Sequence, residues 1–252
     1  MFIDTHCHLT DRHCGDGDAD RAIANAMAAG VGIIICPTAD PDDIPGALHI
    51  AHMHNNVFCT IGIHPEYINA NPDEYLTNDI LNDPRVVGVG EIGLDYHYNA
   101  DTRRQQIELF ERQLEIAKKC ALPVAIHTRE AEDDTARILT GDVRGVMHCY
   151  TSSWDLAKKM LDRGFMFSAS GILTFKNSGE IRETFAKIPI DRIVIETDAP
   201  YCAPVPYRGK TCEPAMVVET ARVLADVKGV NLSELEHILE QNTKKLYPKM
   251  KI

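Results

Sequence analysis

Eight short apolar or β-branched runs recur along this 252-residue chain, with stretches of helical composition between them. That alternation is the pattern of parallel strand–helix units. The runs are Met1 to Asp4, Gly32 to Cys36, Val57 to Ile63, Val86 to Val89, Pro123 to Ile126, Gly145 to Met147, Met166 to Ser170 and Arg192 to Ile195. Between them, Asp101 to Cys120 places Ile107, Leu109, Phe110, Leu114, Ile116 and Ala117 near helical spacing and predicts an amphipathic helix. Two further helices are expected after the last run, over Pro214 to Val227 and Ser233 to Tyr247. Ser233 is read as the N-cap of the second, with Glu236 three residues on. The expectation is an α/β fold, one (β/α)8 TIM barrel over residues 1–252 with an extra C-terminal helix, a size such barrels typically have. An open doubly wound sheet is the alternative, because strand order is not written in a sequence.

No Pro/Gly/Ser-rich linker or internal repeat divides the chain, so one domain is expected. The start, MFIDTHCHLTDRH, lacks the basic and apolar regions of a signal peptide. The longest apolar stretch, around Ala26 to Cys36, falls short of the about 20 residues a bilayer span takes. The protein is therefore expected to be soluble and cytoplasmic, with no membrane association, and nothing calls for an obligate protein partner. Its eight cysteines are scattered without a CxxC pair and are expected to be reduced thiols. The net charge of −11 is opposite to that of a protein that coats long nucleic acid. Any polyanion would have to be met locally, and bound divalent cations can supply that charge.

His6/His8, His64, Glu91, His127, His148 and Asp198 each fall at or just after the carboxyl end of a candidate strand, the face where barrel enzymes assemble their sites. His6 and His8, one residue apart, point to the same side of an extended chain and can meet one ion. Cys7 and Cys149 adjoin these histidines, but the imidazoles offer the better set for a metal. Glu91 lies in GVGEIGLDYH, whose glycines formally match a dinucleotide-binding pattern; a carboxylate there would repel pyrophosphate, and no convincing helix follows. With two oxygens, Glu91 can instead bridge two cations about 3.5–4 Å apart. His127 and His148 would complete the shell of the second. Asp198 can ligate and also take a proton from attacking water, while Glu196, two residues earlier, is expected to orient a ligand. His64, before Pro65, is open to either metal or substrate. Histidines 13, 49, 52, 54, 97 and 237 fall in loops or helices and are expected to be exposed or structural.

Taken in order, DTHCHL (4–9), GIHP (62–65), GEIGLDYH (90–97), HTREA (127–131), HCY (148–150), SGILTFKN (170–177), ETDAPY (196–201), PYRGK (206–210) and NTKKLY (242–247) resemble the TatD-like deoxyribonucleases of the metal-dependent amidohydrolase superfamily. The resemblance covers essentially the whole chain. It implies a (β/α)8 barrel, two divalent metal ions (Mg, Mn or Zn), and hydrolysis of phosphodiester bonds in DNA or other nucleic-acid ends, often from a 3′ end. By the same resemblance His6, His8 and Asp198 look like ligands of one ion, His127 and His148 of the other, with Glu91 between them. His64 and Arg208 look like phosphate contacts, with a surface ion pair as the lesser alternative for Arg208. The chain departs from the family pattern where Cys212 precedes Glu213 and Pro214 in place of the usual Asn, and where an HCF-type motif reads HCYTSS. Two rival readings are a related barrel hydrolase acting on lactones, amides or small phosphodiesters, and a non-catalytic metal-binding scaffold. Many of the former bridge their metals with a carbamylated lysine, where this chain has Glu91.

Overall fold

A computed structural model describes residues 1–11, 14–141 and 143–251. The eight expected strands are present: β1 (Phe2–Asp4), β2 (Val31–Pro37), β3 (Val57–Ile61), β4 (Val86–Asp95), β5 (Val124–Arg129), β6 (Gly145–Met147), β7 (Met166–Ala169) and β8 (Ile193–Ile195). All pair in parallel and in sequence order from β1 to β8, which is the barrel topology and excludes the doubly wound alternative. The helices are α1 (Ala19–Ala28), α2 (Ile44–Met53), α3 (Pro72–Tyr75), α4 (Asn78–Asn82), α5 (Tyr96–Asn99), α6 (Arg103–Lys119), α7 (Glu132–Ile138), α8 (Trp154–Asp162), α9 (Gly179–Lys187), α10 (Val217–Lys228) and α11 (Leu232–Leu246). No helix among the described residues is long and apolar enough to cross a membrane.

The strand period of two divides the apolar residues between two layers. Ile3, Ile33, Ile35, Phe58, Val87, Ala125, Val146, Met166 and Val194 form one buried cluster, which also takes in Leu246, Tyr247 and Met250 from the end of the chain. The alternate set, including Phe2, Ile34, Cys36, Val57 and Phe167, packs in the layer shared with helix residues such as Phe110. Tyr247 is fully buried and lies against Gly88, where an added Cβ would stand 3.2 Å from its ring. Burying side chains of this size stabilises by about 1.5–3 kcal/mol each.

Two expectations at element ends are corrected. β4 runs to Asp95 rather than stopping at Val89, so Glu91 sits within a strand, and β5 likewise runs to Arg129 and includes His127. The last helix is capped by Asn231, which accepts from the Glu234 backbone N–H at 2.9 Å, and Ser233 lies inside it. An Asn side chain satisfies an orphan N–H as well as a serine hydroxyl does, and it comes two residues earlier.

The seam between β8 and β1 is closed beyond the strands themselves. Thr5 N donates to Ile195 O, Asp198 N to His6 O and His8 N to Ala199 O, at 2.8–3.0 Å. Buried Asp4 fastens it, accepting from the backbone N–H groups of His6 and Thr197 and, at 2.6 Å, from the Thr197 hydroxyl.

Candidate metal centre

Glu91 stands at the middle of a ring of imidazoles. Its Oε2 is 3.4 Å from His6 Nε2 and 3.5 Å from His8 Nε2, and Asp198 Oδ1 completes this side at 3.8 and 3.5 Å from the same two nitrogens. Its Oε1 faces the other side, 2.9 Å from His127 Nδ1, 3.0 Å from His148 Nε2 and 3.7 Å from His64 Nε2. The six residues singled out as ligands, and His64 with them, are thus brought together. The cluster forms one wall of a cavity of about 610 Å³.

Local backbone makes this possible. Cys7 bridges to Ala199, keeping residues 6–8 extended so that His6 and His8 both face Glu91, their rings 5.0 Å apart. Gly93 pairs with His127 so closely that an added Cβ would lie 1.9 Å from the His127 carbonyl oxygen, and its φ of +147° is one that L side chains rarely adopt. Asp198 has a left-handed backbone, φ 59°, which follows the Glu196–Thr197 segment and turns the carboxylate inward.

The hydrogen bonds fix which nitrogen is available. Asp95 Oδ2 lies 3.1 Å from His127 Nε2, so Nε2 carries a proton and Nδ1 is left to face Glu91. Glu196 Oε1, 3.1 Å from His148 Nδ1, does the same for His148 and leaves Nε2 toward Glu91. His64 is the opposite case. Its Nδ1 accepts from the Glu66 backbone N–H at 3.2 Å, so Nε2–H is a donor and suits an anionic oxygen rather than a cation. Glu196 therefore takes the orienting role expected for it. Asp95 takes an equivalent role that the sequence reading missed because its strand was ended too early.

Charge follows the same arrangement. Burial would raise the Glu91 pKa, but His148, His127 and His6 outweigh it and hold the carboxyl well below its usual range. Burial likewise opposes ionisation of Asp198, and His8, His148 and His6 prevail. His148 is pushed well above the ordinary imidazole value, burial being overcome by Glu91 and Glu196. Burial lowers His64 to about 3 despite Glu91. Asp95 is held at about 2, its burial offset by His127 and the backbone N–H groups of Tyr98 and His97. The cluster as built demands positive charge between its carboxylates.

Donors about 2.1 Å from a tetrahedral ion stand about 3.4 Å apart, close to the spacing of His6, His8, Asp198 and Glu91 Oε2. His6 Nε2 is buried without a hydrogen-bond partner, and a cation held by this set would satisfy it. His6, His8 and Asp198 bring three donor atoms within 4.8 Å of one another, a group able to hold a metal ion.

Arg208 does not line the cavity. It is exposed, with its guanidinium 3.7 Å from the centre of the Phe175 ring and a hydrogen bond to Ala203 O. The arginine lining the cavity is Arg129, 4.7 Å over the Tyr98 ring. Asp11, Asp40, Asp43 and Glu66 also line the cavity, so its rim is acidic. Cys7 turns away from the centre toward Cys14, 3.8 Å off, whereas Cys149 lines the cavity. His49, His52, His97 and His237 are exposed and His54 is half-buried; His13 lies outside the described residues.

A family profile described as TatD related DNase matches residues 3–248. An Escherichia coli K12 protein described as the uncharacterized metal-dependent hydrolase YcfH is 38% identical over 259 residues, covering 98% of this chain and 96% of that one. A Bacillus subtilis counterpart, the uncharacterized metal-dependent hydrolase YabD, is 34% identical, covering 98% and 99%. The crystal structure of YJJV, a TatD homologue from Escherichia coli K12, superposes with a TM-score of 0.89 at 28% identity, covering 98% of each chain.

Proposed function

The chain belongs to the TatD related DNase family, and from that premise we propose that it is a divalent-metal-dependent hydrolase that cleaves phosphodiester bonds, trimming DNA from its 3′ end. The observation that carries the reading is the two-sided Glu91, each of whose oxygens faces its own set of imidazoles. That arrangement suits two cations, one held by His6, His8 and Asp198 and the other by His127 and His148, with Glu91 reaching both; imidazole and carboxylate donors accept Mg, Mn or Zn. Bound there, such ions supply positive charge against a phosphate and acidify water to a pKa of about 7.

The chain's own groups do the rest. His64 is neutral at physiological pH and offers Nε2–H to a non-bridging phosphate oxygen. Asp198, ionised and within the same cluster, accepts the proton of the attacking water. Asp95 and Glu196 keep His127 and His148 in their tautomers. Arg129, held over the Tyr98 ring at the cavity, offers a guanidinium for the nucleic-acid backbone. The acidic rim resists a long polyanion, which supports contact with a strand end over wrapping of a duplex.

Glu91→Ala and Asp198→Asn, purified, loaded with Mn or Mg and assayed on end-labelled single-stranded DNA and RNA, test the assignment. Both are expected to abolish turnover, and undiminished cleavage by either refutes it. Turnover of a lactone or amide panel with none on nucleic acid would assign the site to another branch of the superfamily.

A further inference from the structure

We propose that Cys149, Cys202 and Asp198 form a separate site for a thiophilic divalent cation, such as zinc or cadmium, and that its occupation inhibits the enzyme by claiming Asp198. The proposal does not depend on which bond the enzyme cuts. The donor atoms of these three residues all lie within 4.8 Å of one another. The Cys202 thiol is 3.6 Å from Asp198 Oδ2, while Asp198 Oδ1 faces His6 and His8 at 3.8 and 3.5 Å. One carboxylate therefore serves two sets of partners, imidazoles on one oxygen and thiols on the other.

Tetrahedral zinc with sulfur at about 2.3 Å and oxygen at about 2.0–2.2 Å sets neighbouring donors about 3.5–3.8 Å apart, so the Cys202–Asp198 pair already stands at ligand spacing. Thiolates select soft cations, whereas magnesium and manganese prefer oxygen and leave them alone. The site would thus discriminate against magnesium and manganese. All three donors line the cavity and are open to an ion arriving there.

The backbone singles out the same residues. Among the described residues five non-glycine residues have positive φ, and Cys149 (40°), Asp198 (59°) and Cys202 (56°) are three of them. Such conformations are rare outside glycine and gather at functional sites. The other thiols differ in placement: Cys7, Cys14, Cys36, Cys59 and Cys212 are buried, and Cys120 ends α6 away from the cavity.

The test is a cadmium titration of the manganese-loaded protein, following the ultraviolet thiolate-to-cadmium charge-transfer band and turnover together. Wild type is expected to develop the band and to lose activity in parallel as about one equivalent binds. Cys202→Ser and Cys149→Ser should lose the band, and inhibition relative to each variant's own starting rate should need more than the roughly tenfold extra cadmium that loss of an outer-shell partner costs. Cys120→Ser should match wild type. No band in wild type, or a full band in both Cys202→Ser and Cys149→Ser, overturns the proposal. Because the band needs no substrate, this result stands apart from any failure of the nuclease reading.

Discussion

Replacing Asp95 by Asn separates the orienting of a ligand from the stability of the fold. Asp95 uses its two oxygens for two tasks: Oδ1 accepts from the backbone N–H groups of His97 and Tyr98 at 2.9 and 3.2 Å, capping α5, and Oδ2 receives His127 Nε2–H. An asparagine can keep the cap with its one carbonyl oxygen, which leaves its NH2 facing His127. Two donors would then oppose each other, and the conflict is relieved when the His127 proton moves from Nε2 to Nδ1. Nδ1 is the atom 2.9 Å from Glu91, so the lone pair needed for a cation is lost while every side chain stays in place. Removing outer-shell partners costs roughly 10–100-fold in metal affinity or activity, equivalent to about 1.4–2.7 kcal/mol. The assay is calorimetric titration of chelator-stripped protein with manganese, paired with nitrogen NMR of His127 to read the tautomer. Urea unfolding in chelator should hold within about 1 kcal/mol of wild type for Asp95→Asn, and fall further for Asp95→Ala, which also loses the cap. Wild-type manganese affinity in Asp95→Asn, or an unchanged tautomer, refutes the reasoning.

Gly93→Ala should destabilise by more than about 4 kcal/mol, the range reserved for severe steric or strain defects, because its Cβ would meet His127 O at 1.9 Å. Gly141→Ala, at φ +79° with nothing within 4 Å, isolates backbone strain of about 1 kcal/mol, and equal urea midpoints for the two variants would contradict the close-approach argument. For His64, with its pKa lowered from the ordinary 6.5 to about 3, the unfolded chain takes up a proton below pH 6.5 that the folded protein refuses until about pH 3. Stability is therefore lost as pH falls through that window, by up to about 3 kcal/mol between pH 6.5 and 4.5. His64→Gln should show a shallower acid-side loss in chelator, and identical slopes would exclude His64 as the source. Manganese at 100 times its dissociation constant should stabilise wild type by about 2.7 kcal/mol, a gain that Glu91→Gln should largely lose in thermal melts.

The barrel was legible because strands covered on both faces read as unbroken apolar runs, as in GIIIC and RIVI. β4 was read short for the converse reason: glycines at 88, 90 and 93 and the charge of Glu91 interrupt the run although the backbone remains extended. Asp95 disappeared with the end of that strand. The cluster of His6, His8, Glu91, His127, His148 and Asp198 could be seen as residue types at strand ends, but its division between the oxygens of Glu91 is a matter of side-chain direction. The relation of Cys149 to Cys202 spans 53 positions (202 − 149) and exists only through the fold. Arg208, which the motif pairs with phosphate, lies with its guanidinium over the Phe175 ring, a neighbour that no motif names. Arg129, in the same HTREA segment as His127, lines the cavity and was not singled out from the sequence.

The seam that joins β8 to β1 gives this protein an order of assembly. His6 and His8 precede Asp198 by at least 190 positions (198 − 8), and only the fold brings the three together. The hydrogen bonds that bring them together are the ones that close the barrel. A nascent or truncated chain ending before residue 199 lacks that closure, and with it one side of the cluster. Closure of the barrel and assembly of the centre are thus coupled by topology: a fragment that lacks the residues after β8 lacks one side of the cluster.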